Sequence, residues 1–217
     1  RSAYGRPLWA VTVGEGERRV LYSAAHHANE WLTATVLLKF IEDYADALQN
    51  DGQLGGVPAR ELYQTASISL VPLVNPDGVD LVTGAATEAE RDQARTLSEF
   101  YPNIPFPDGW KANLLGVDLN LQYPAGWLMA REIKFSQGYT RPGPRDFVGR
   151  APLGQIEAQA LCDFTQRIDP ALVIAWHSQG QVLYWQFGGI EVPGARELAG
   201  RFTAVSGYRL EDTPSNS

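Results

Sequence analysis

Apolar residues along this chain change their period several times, and each change marks an element. Leu8 to Val13 and Arg19 to Ala24 are short stretches that predict two strands, with the turn-rich Gly14-Glu15-Gly16-Glu17 between them. From Trp31 to Gln49 the positions Leu32, Val36, Phe40, Ile41, Tyr44 and Leu48 recur at the spacing of an amphipathic helix. Asn50 to Pro58 is glycine-rich and predicts a loop. Ser67 to Val74 is almost wholly apolar, the pattern of a strand covered on both faces, and Asn75-Pro76-Asp77-Gly78 ends it sharply.

The second half repeats the alternation. Thr87 to Phe100 predicts a helix, and Leu153 to Ile168 another, with Ile156, Ala160, Leu161, Phe164 and Ile168 on one face. Ala171 to Trp176 predicts a buried strand, Gln181 to Phe187 a further strand, and Gly194 to Val205 a helix. Pro102 to Gly109 and Gly138 to Pro152 are rich in proline and glycine and predict long surface loops, the kind that build binding sites on an α/β scaffold. Strands alternating with helices imply an α/β protein of three layers, α/β/α, around a mostly parallel or mixed sheet.

A length of 217 residues suits one domain over 1–217. A net charge of −7 argues against nucleic acid, whose phosphates need a basic face. No run approaches the ~18 apolar residues of a membrane span. Peptides or small molecules are the partners that remain. Cys162, the single cysteine, permits no internal disulfide, and its place in an apolar pattern predicts a buried, inert thiol.

The chemistry gathers around Ser23-Ala24-Ala25-His26-His27-Ala28-Asn29-Glu30-Trp31, where a strand gives way to a helix. His27 and Glu30, three apart at a helix start, can turn toward one point, and an imidazole with a carboxylate suits zinc. A catalytic zinc keeps three protein ligands and one open position. The third ligand is expected to be His177, which follows a buried strand at its carboxyl end, where ligands bind in open α/β sheets. His26 lacks a glutamate at the same spacing and is assigned a structural or peripheral place.

Four segments, in order, resemble the zinc carboxypeptidases: His27-Ala28-Asn29-Glu30-Trp31, Val74-Asn75-Pro76-Asp77-Gly78, Gly116-Val117-Asp118-Leu119-Asn120 and Trp176-His177-Ser178. Within that family the chain looks most like bacterial γ-D-glutamyl-diaminopimelate peptidases, through Gly109 to Asn113, Tyr139 to Phe147 and Ser178-Gln179-Gly180. The resemblance implies a zinc-dependent metallopeptidase with one zinc per chain, acting on a peptide or on a peptidoglycan stem peptide. It implies that Asp118 accepts a hydrogen bond from His27, that Asn120 grips the carboxylate end of the substrate, and that Lys111 stabilises the oxyanion. It favours the cell envelope or secretion, with the cytoplasm left open.

Two departures from the family pattern shape the expectation. Leu121 stands where the family usually carries an arginine that clamps a C-terminal carboxylate, so loop residues such as Arg141 or Arg145 are expected to share that recognition. The family's general-base glutamate and a substrate-side tyrosine lie further beyond the third ligand than this sequence runs, and Glu191, Glu197 and Glu211 stand in no matching context. The expectation is a domain whose C-terminal part is missing. Two other readings stand beside it: an N-acyl-amino-acid deacylase of the aspartoacylase type, whose His-Gly-Asn-Glu is similar to His27-Ala28-Asn29-Glu30, and a catalytically dead peptidoglycan-binding remnant.

Overall fold

The computed structural model of the chain describes residues 1–213; Pro214 to Ser217, the end of the domain expected over 1–217, lie outside the described residues. Strands β1 (Val11–Val13) and β2 (Arg18–Ala24) lead through a 3-10 turn, Ala28–Glu30, into helix α1 (Leu32–Gln49). A small hairpin, β3 (Gln53–Leu54) and β4 (Val57–Pro58), precedes α2 (Ala59–Thr65) and β5 (Ala66–Val71). Helices α3 (Pro76–Thr83) and α4 (Glu88–Ser98) follow, then a long irregular segment with a second 3-10 turn at Leu119–Leu121. The chain continues through α5 (Trp127–Ser136), α6 (Ile156–Ile168), β6 (Leu172–Trp176), β7 (Val182–Tyr184), α7 (Ala195–Ser206) and β8 (Arg209–Glu211).

The central sheet runs β1-β5-β2-β6, with β1 antiparallel to β5 and the other neighbours parallel. Alternating side chains divide its two faces. Tyr22, Ala24, Ile68 and Leu70 pack with Leu37, Phe40 and Ile41 of α1. Leu21 and Val71 pack with Leu161, Phe164 and Ile168 of α6. The sheet is therefore mixed and lies between helices, as the alternation implied.

Several elements differ from the sequence reading. The face of α1 that goes inside carries Thr33, Ala34, Leu37, Tyr44 and Ala47, while Leu32 and Val36 face solvent. The strand expected at Ala171 to Trp176 is not buried on both faces: β6 is the outer strand of the described sheet, pairs only with β2, and leaves Val173 50% exposed. The expected strand at Gln181 to Phe187 shortens to Val182–Tyr184, and that at Leu8 to Val13 to Val11–Val13. Cys162 is half-buried rather than buried. Much of the second expected surface loop lies inside, with Gly143, Pro144, Phe147, Val148 and Gly149 buried. It is held there because its carbonyls meet donors: Pro144 accepts from the Lys111 and Ala112 N–H groups, and Phe147 from Asp118.

Asn75-Pro76-Asp77-Gly78 starts a helix rather than a simple turn. Asn75 caps α3 by accepting from the Gly78 N–H at 3.0 Å, and Pro76 sits in the first turn, where its missing N–H costs nothing. Gly78 is required sterically, since a Cβ there would lie 2.5 Å from the Ala112 carbonyl oxygen. Asp77 accepts from the Ser2 hydroxyl and the Tyr4 N–H, and pairs with Arg6, which also reaches Asp80 and Glu90. The N-terminal segment is tied to α3 and α4 in this way.

The fully buried Asn75 amide also donates to the carbonyls of His26, Lys111 and Ala112, at 3.1, 3.3 and 3.0 Å. Asn75→Ala removes the cap and strips buried carbonyls of a donor, so a loss of about 2–4 kcal/mol is expected in urea unfolding. Asn75→Asp keeps the cap but turns a carboxylate toward those carbonyls, and is expected to be at least as unstable. A wild-type-like Asn75→Asp would show that the cap alone matters.

Candidate metal centre

Strands β2 and β6 are parallel neighbours whose ends are level, with Ala24 opposite Trp176. That register delivers two histidines to one place. His177 leaves β6 immediately. On the other strand Ala25 takes a left-handed conformation, φ 50°, which turns the chain out of the sheet and carries His27 back over the strand ends. The turn is pinned by backbone bonds: Ala28 N–H donates to Lys111 O and Asn29 N–H to Trp110 O. Thr33 completes it by accepting from the Ala25 N–H and donating to the Glu30 carbonyl.

Glu30, buried to 1% exposure, receives a donor on each oxygen. Oε1 lies 3.0 Å from His27 Nδ1 and 3.3 Å from Lys111 Nζ. Oε2 lies 2.8 Å from His177 Nδ1 and accepts from the Ser178 N–H at 3.3 Å. The two histidine Nδ1 atoms face each other at 3.2 Å. Ligands ~2.0–2.1 Å from a tetrahedral zinc stand about 3.3–3.4 Å apart. The spacing among His27, Glu30 and His177 fits one such ion with a small outward adjustment, and their ligand atoms all lie within 4.8 Å of one another.

The other ring nitrogen of His27, Nε2, lies 3.3 Å from Asp118 Oδ1. This leaves Nδ1 as the nitrogen directed at the trio, the usual division of labour in a metal-bound histidine. Asp118 is itself fixed, since Oδ1 accepts from the Asn120 N–H at 3.2 Å and Oδ2 from the Asp146 N–H at 3.1 Å. Burial would raise the Asp118 carboxyl, but the His27 charge and hydrogen bond with the Asp146 N–H hold it well below the usual carboxylate range. Glu30 is likewise lowered against its burial by His177 and His27. His27 is pushed up to about 9, because Asp118 and Glu30 outweigh the burial that would lower it. His26 goes the other way, down to about 3, through burial and the charges of His177 and His27. Its Nε2 meets the Tyr123 hydroxyl at 2.9 Å, outside the trio.

Among the other residues expected at the site, Lys111 is buried with its ammonium beside Glu30. Asn120 is exposed in the 3-10 turn that Asp118 caps, and Leu121 follows it there. Arg145 pairs with Asp146 at 2.7 Å and lies close enough to Asp118 for the two charges to act on each other. Arg141 is not brought to the trio: its guanidinium lies over the Phe100 ring, 4.6 Å from the centroid. Three groups beside the site were not singled out from the sequence: Tyr123, the Ser178 N–H and Asp146 with its second partner Lys134. Ser178 and Asp146 lie in stretches that carry the resemblance, but their contacts are not legible there, because each of the three meets its partner through the fold rather than through spacing.

The zinc carboxypeptidase family model matches residues 1–211. Gamma-D-glutamyl-L-diamino acid endopeptidase 1 of Lysinibacillus sphaericus is 40% identical over 95% of this chain and 51% of its own length. The uncharacterized protein YqgT of Bacillus subtilis is 39% identical over 95% of this chain and 54% of its own. The chain thus spans about half the length of these curated relatives. Among solved structures, carboxypeptidase A of Helicoverpa armigera shares the fold, with a TM-score of 0.64 at 19% identity, over 94% of this chain and 46% of that one.

We expect the chain to bind one zinc, and His177→Ala to abolish stoichiometric binding in a metal-competition assay. Asp118→Asn, which weakens the hold on His27, should lower zinc affinity about 10–100-fold. Full occupancy in His177→Ala would disprove the ligand assignment.

Proposed function

Because the chain belongs to the zinc carboxypeptidase family, we propose that it forms the zinc-binding part of a hydrolase cutting an amide bond near a free carboxylate, with γ-D-glutamyl-diaminopimelate linkages of peptidoglycan stem peptides as substrate. The observation that carries the reading is the convergence of His27, Glu30 and His177 at the ends of β2 and β6. Bound there, zinc would lower the pKa of its water toward ~7 and polarise the scissile carbonyl. His27, Glu30 and His177 would hold the ion, and Asp118 would keep the His27 ring turned. Lys111 places a positive charge beside the ligands, where the oxyanion of the tetrahedral intermediate would form. The finer substrate reading is supported by the name of the Lysinibacillus sphaericus relative and by Leu121, which offers no clamp for an ordinary C-terminal carboxylate. Asn120 and Arg145 are the groups proposed to meet the carboxylates instead. Such a substrate would place the protein at the cell envelope or outside the cell.

A second reading, the dead binding remnant, draws on one observation. Among the described residues, Glu191 and Glu197 line a separate cavity and Glu211 pairs with Arg209, so none of them meets the trio as a proton acceptor. The N-acyl-amino-acid deacylase reading has no observation in its favour.

The test compares binding and hydrolysis by the zinc-loaded chain of a stem tetrapeptide, a blocked dipeptide ending in phenylalanine and an N-acyl amino acid. The stem peptide is expected to bind best, by on the order of tenfold or more, for want of an arginine at 121. Dipeptide binding equal to or tighter than stem-peptide binding would sink the substrate reading. With Glu191, Glu197 and Glu211 all engaged away from the trio, turnover by this chain is expected to be 10²–10⁴-fold below that of the Lysinibacillus sphaericus relative, on the usual scale of general-base assistance. Equal turnover would show that one of its own residues supplies the base.

A further inference from the structure

Asp146 reaches Asp118 through its backbone and two cations through its side chain. Its backbone N–H donates to Asp118 Oδ2 at 3.1 Å, one step from His27. Its carboxylate takes two cations, Lys134 on Oδ1 at 2.8 Å and Arg145 on Oδ2 at 2.7 Å. It does both from a left-handed backbone, φ 65°, a conformation that most L-residues avoid and that aspartate tolerates better than most.

We propose that Asp146 is a positioning residue with two separable actions: its N–H fixes the Asp118 carboxylate behind His27, and its side chain aims Arg145 at an anionic group of a substrate held beside the metal. The second action rests on the substrate reading above; the first does not.

Geometry supports each action. Asp118 needs its outer oxygen engaged if Oδ1 is to stay on His27 Nε2, and the left-handed turn at Asp146 is what presents an N–H to it from 28 residues away. The aiming runs from a rigid element outward. Lys134 stands in the last turn of α5, it anchors the Asp146 carboxylate, and that carboxylate grips Arg145 through Nε. Lys134 and the Asp146 carboxylate are both largely buried, whereas the Arg145 side chain is 37% exposed. With Nε occupied, the two terminal nitrogens of Arg145 have no hydrogen-bond partner among the described residues. They form the fork that suits a carboxylate. Two cations share the single Asp146 carboxylate, so that carboxylate alone does not neutralise the pair, and Asp118 acts on Arg145 only through space, with no hydrogen bond to it. An anionic substrate group would pair with Arg145, in a site where Leu121 supplies no charge.

The experiment uses the 217-residue chain, with zinc affinity read by metal competition. Calorimetry on the zinc-loaded protein reads the affinity for the tripeptide L-Ala-γ-D-Glu-diaminopimelate. Asp146→Gly and Asp146→Asn keep the left-handed backbone and its N–H while discarding the carboxylate charge. Both are expected to hold zinc within about threefold of wild type and to bind the tripeptide about tenfold more weakly, the loss also expected of Arg145→Met. The double variant Arg145→Met with Asp146→Gly should be no weaker than Arg145→Met alone. Asp146→Val resists a positive φ and should lose about tenfold or more in zinc affinity. In the wild-type protein, irrespective of how that variant folds, the Asp146 amide should exchange its hydrogen slowly.

Unchanged tripeptide affinity in Asp146→Gly or Asp146→Asn, or additive losses in the double variant, would overturn the aiming of Arg145. A rapidly exchanging Asp146 amide, or unaltered zinc affinity in a folded Asp146→Val, would overturn the support of Asp118. If wild type holds zinc but ignores the tripeptide, the substrate reading fails with the aiming, while the zinc and exchange measurements still decide the support of Asp118.

Discussion

A carboxylate with almost no exposure has to be met on every side, and Glu30 imposes that requirement on this fold. Its four partners come from three separate places: His27 from the end of β2, His177 and the Ser178 N–H from the end of β6, and Lys111 from the irregular segment. Removing one partner of a buried charge typically costs about 3–5 kcal/mol, a large share of the stability of a domain this size. The requirement is met only if β2 and β6 end level, as the pairing of Ala24 with Trp176 provides. The arrangement that can bind a cation is thus also the one that keeps a buried charge paired.

Lys111 belongs to a segment without regular structure, and much of that segment is buried. Buried irregular backbone must find hydrogen bonds outside helices and sheets. Side-chain amides provide them here. Asn75 serves the carbonyls of His26, Lys111 and Ala112. Gln122, wholly buried, donates to the Val148 and Ala151 carbonyls and accepts from the Gln155 N–H. Trp127 adds an indole bond to Val148. These polar side chains stand where a strand ladder otherwise would, and they let Asp118, Lys111 and Asp146 approach the strand ends from loops with defined positions.

That substitution explains what could be read in the sequence. Strands β2 and β5 and helices α1 and α6 follow from apolar period and the pair His27 and Glu30 from ligand spacing, all local signals, whereas His177 is expected from its place at the carboxyl end of a strand and from the resemblance. The buried face of α1 was misjudged because Leu32, Val36 and Phe40 fit a helical period as well as Thr33, Leu37 and Phe40 do, and the smaller Thr33 and Ala34 carry little hydrophobic signal. Helix α3 was hidden because Asn-Pro-Asp-Gly is also turn chemistry, and here it opens a helix whose first turn packs closely against Ala112. The interior course of 138–152 could not be read from composition, since proline and glycine mark irregular backbone without saying whether it is covered. Asp118 came from the resemblance alone. Asp146 lies in the stretch 139–147 that carries the resemblance, but its role is not legible there, because its contacts depend on a left-handed φ and on partners in α5 and at Asp118.

Adjacent histidines show how far environment, rather than residue type, decides the chemistry. Burial lowers both rings. His27 stands between Asp118 and Glu30, and their charges more than reverse the effect, to about 9. His26 points the other way in the chain, onto the Tyr123 hydroxyl and 6.0 Å from the His177 ring, where neighbouring positive charge adds to the burial and takes it to about 3. The left-handed step at Ala25 separates the two fates, because it sets which of the consecutive imidazoles turns toward Glu30. The His-x-x-Glu spacing therefore picks out the imidazole that meets Glu30 only because the backbone before it is bent, and the bend is held by Thr33 from the helix that the motif itself begins.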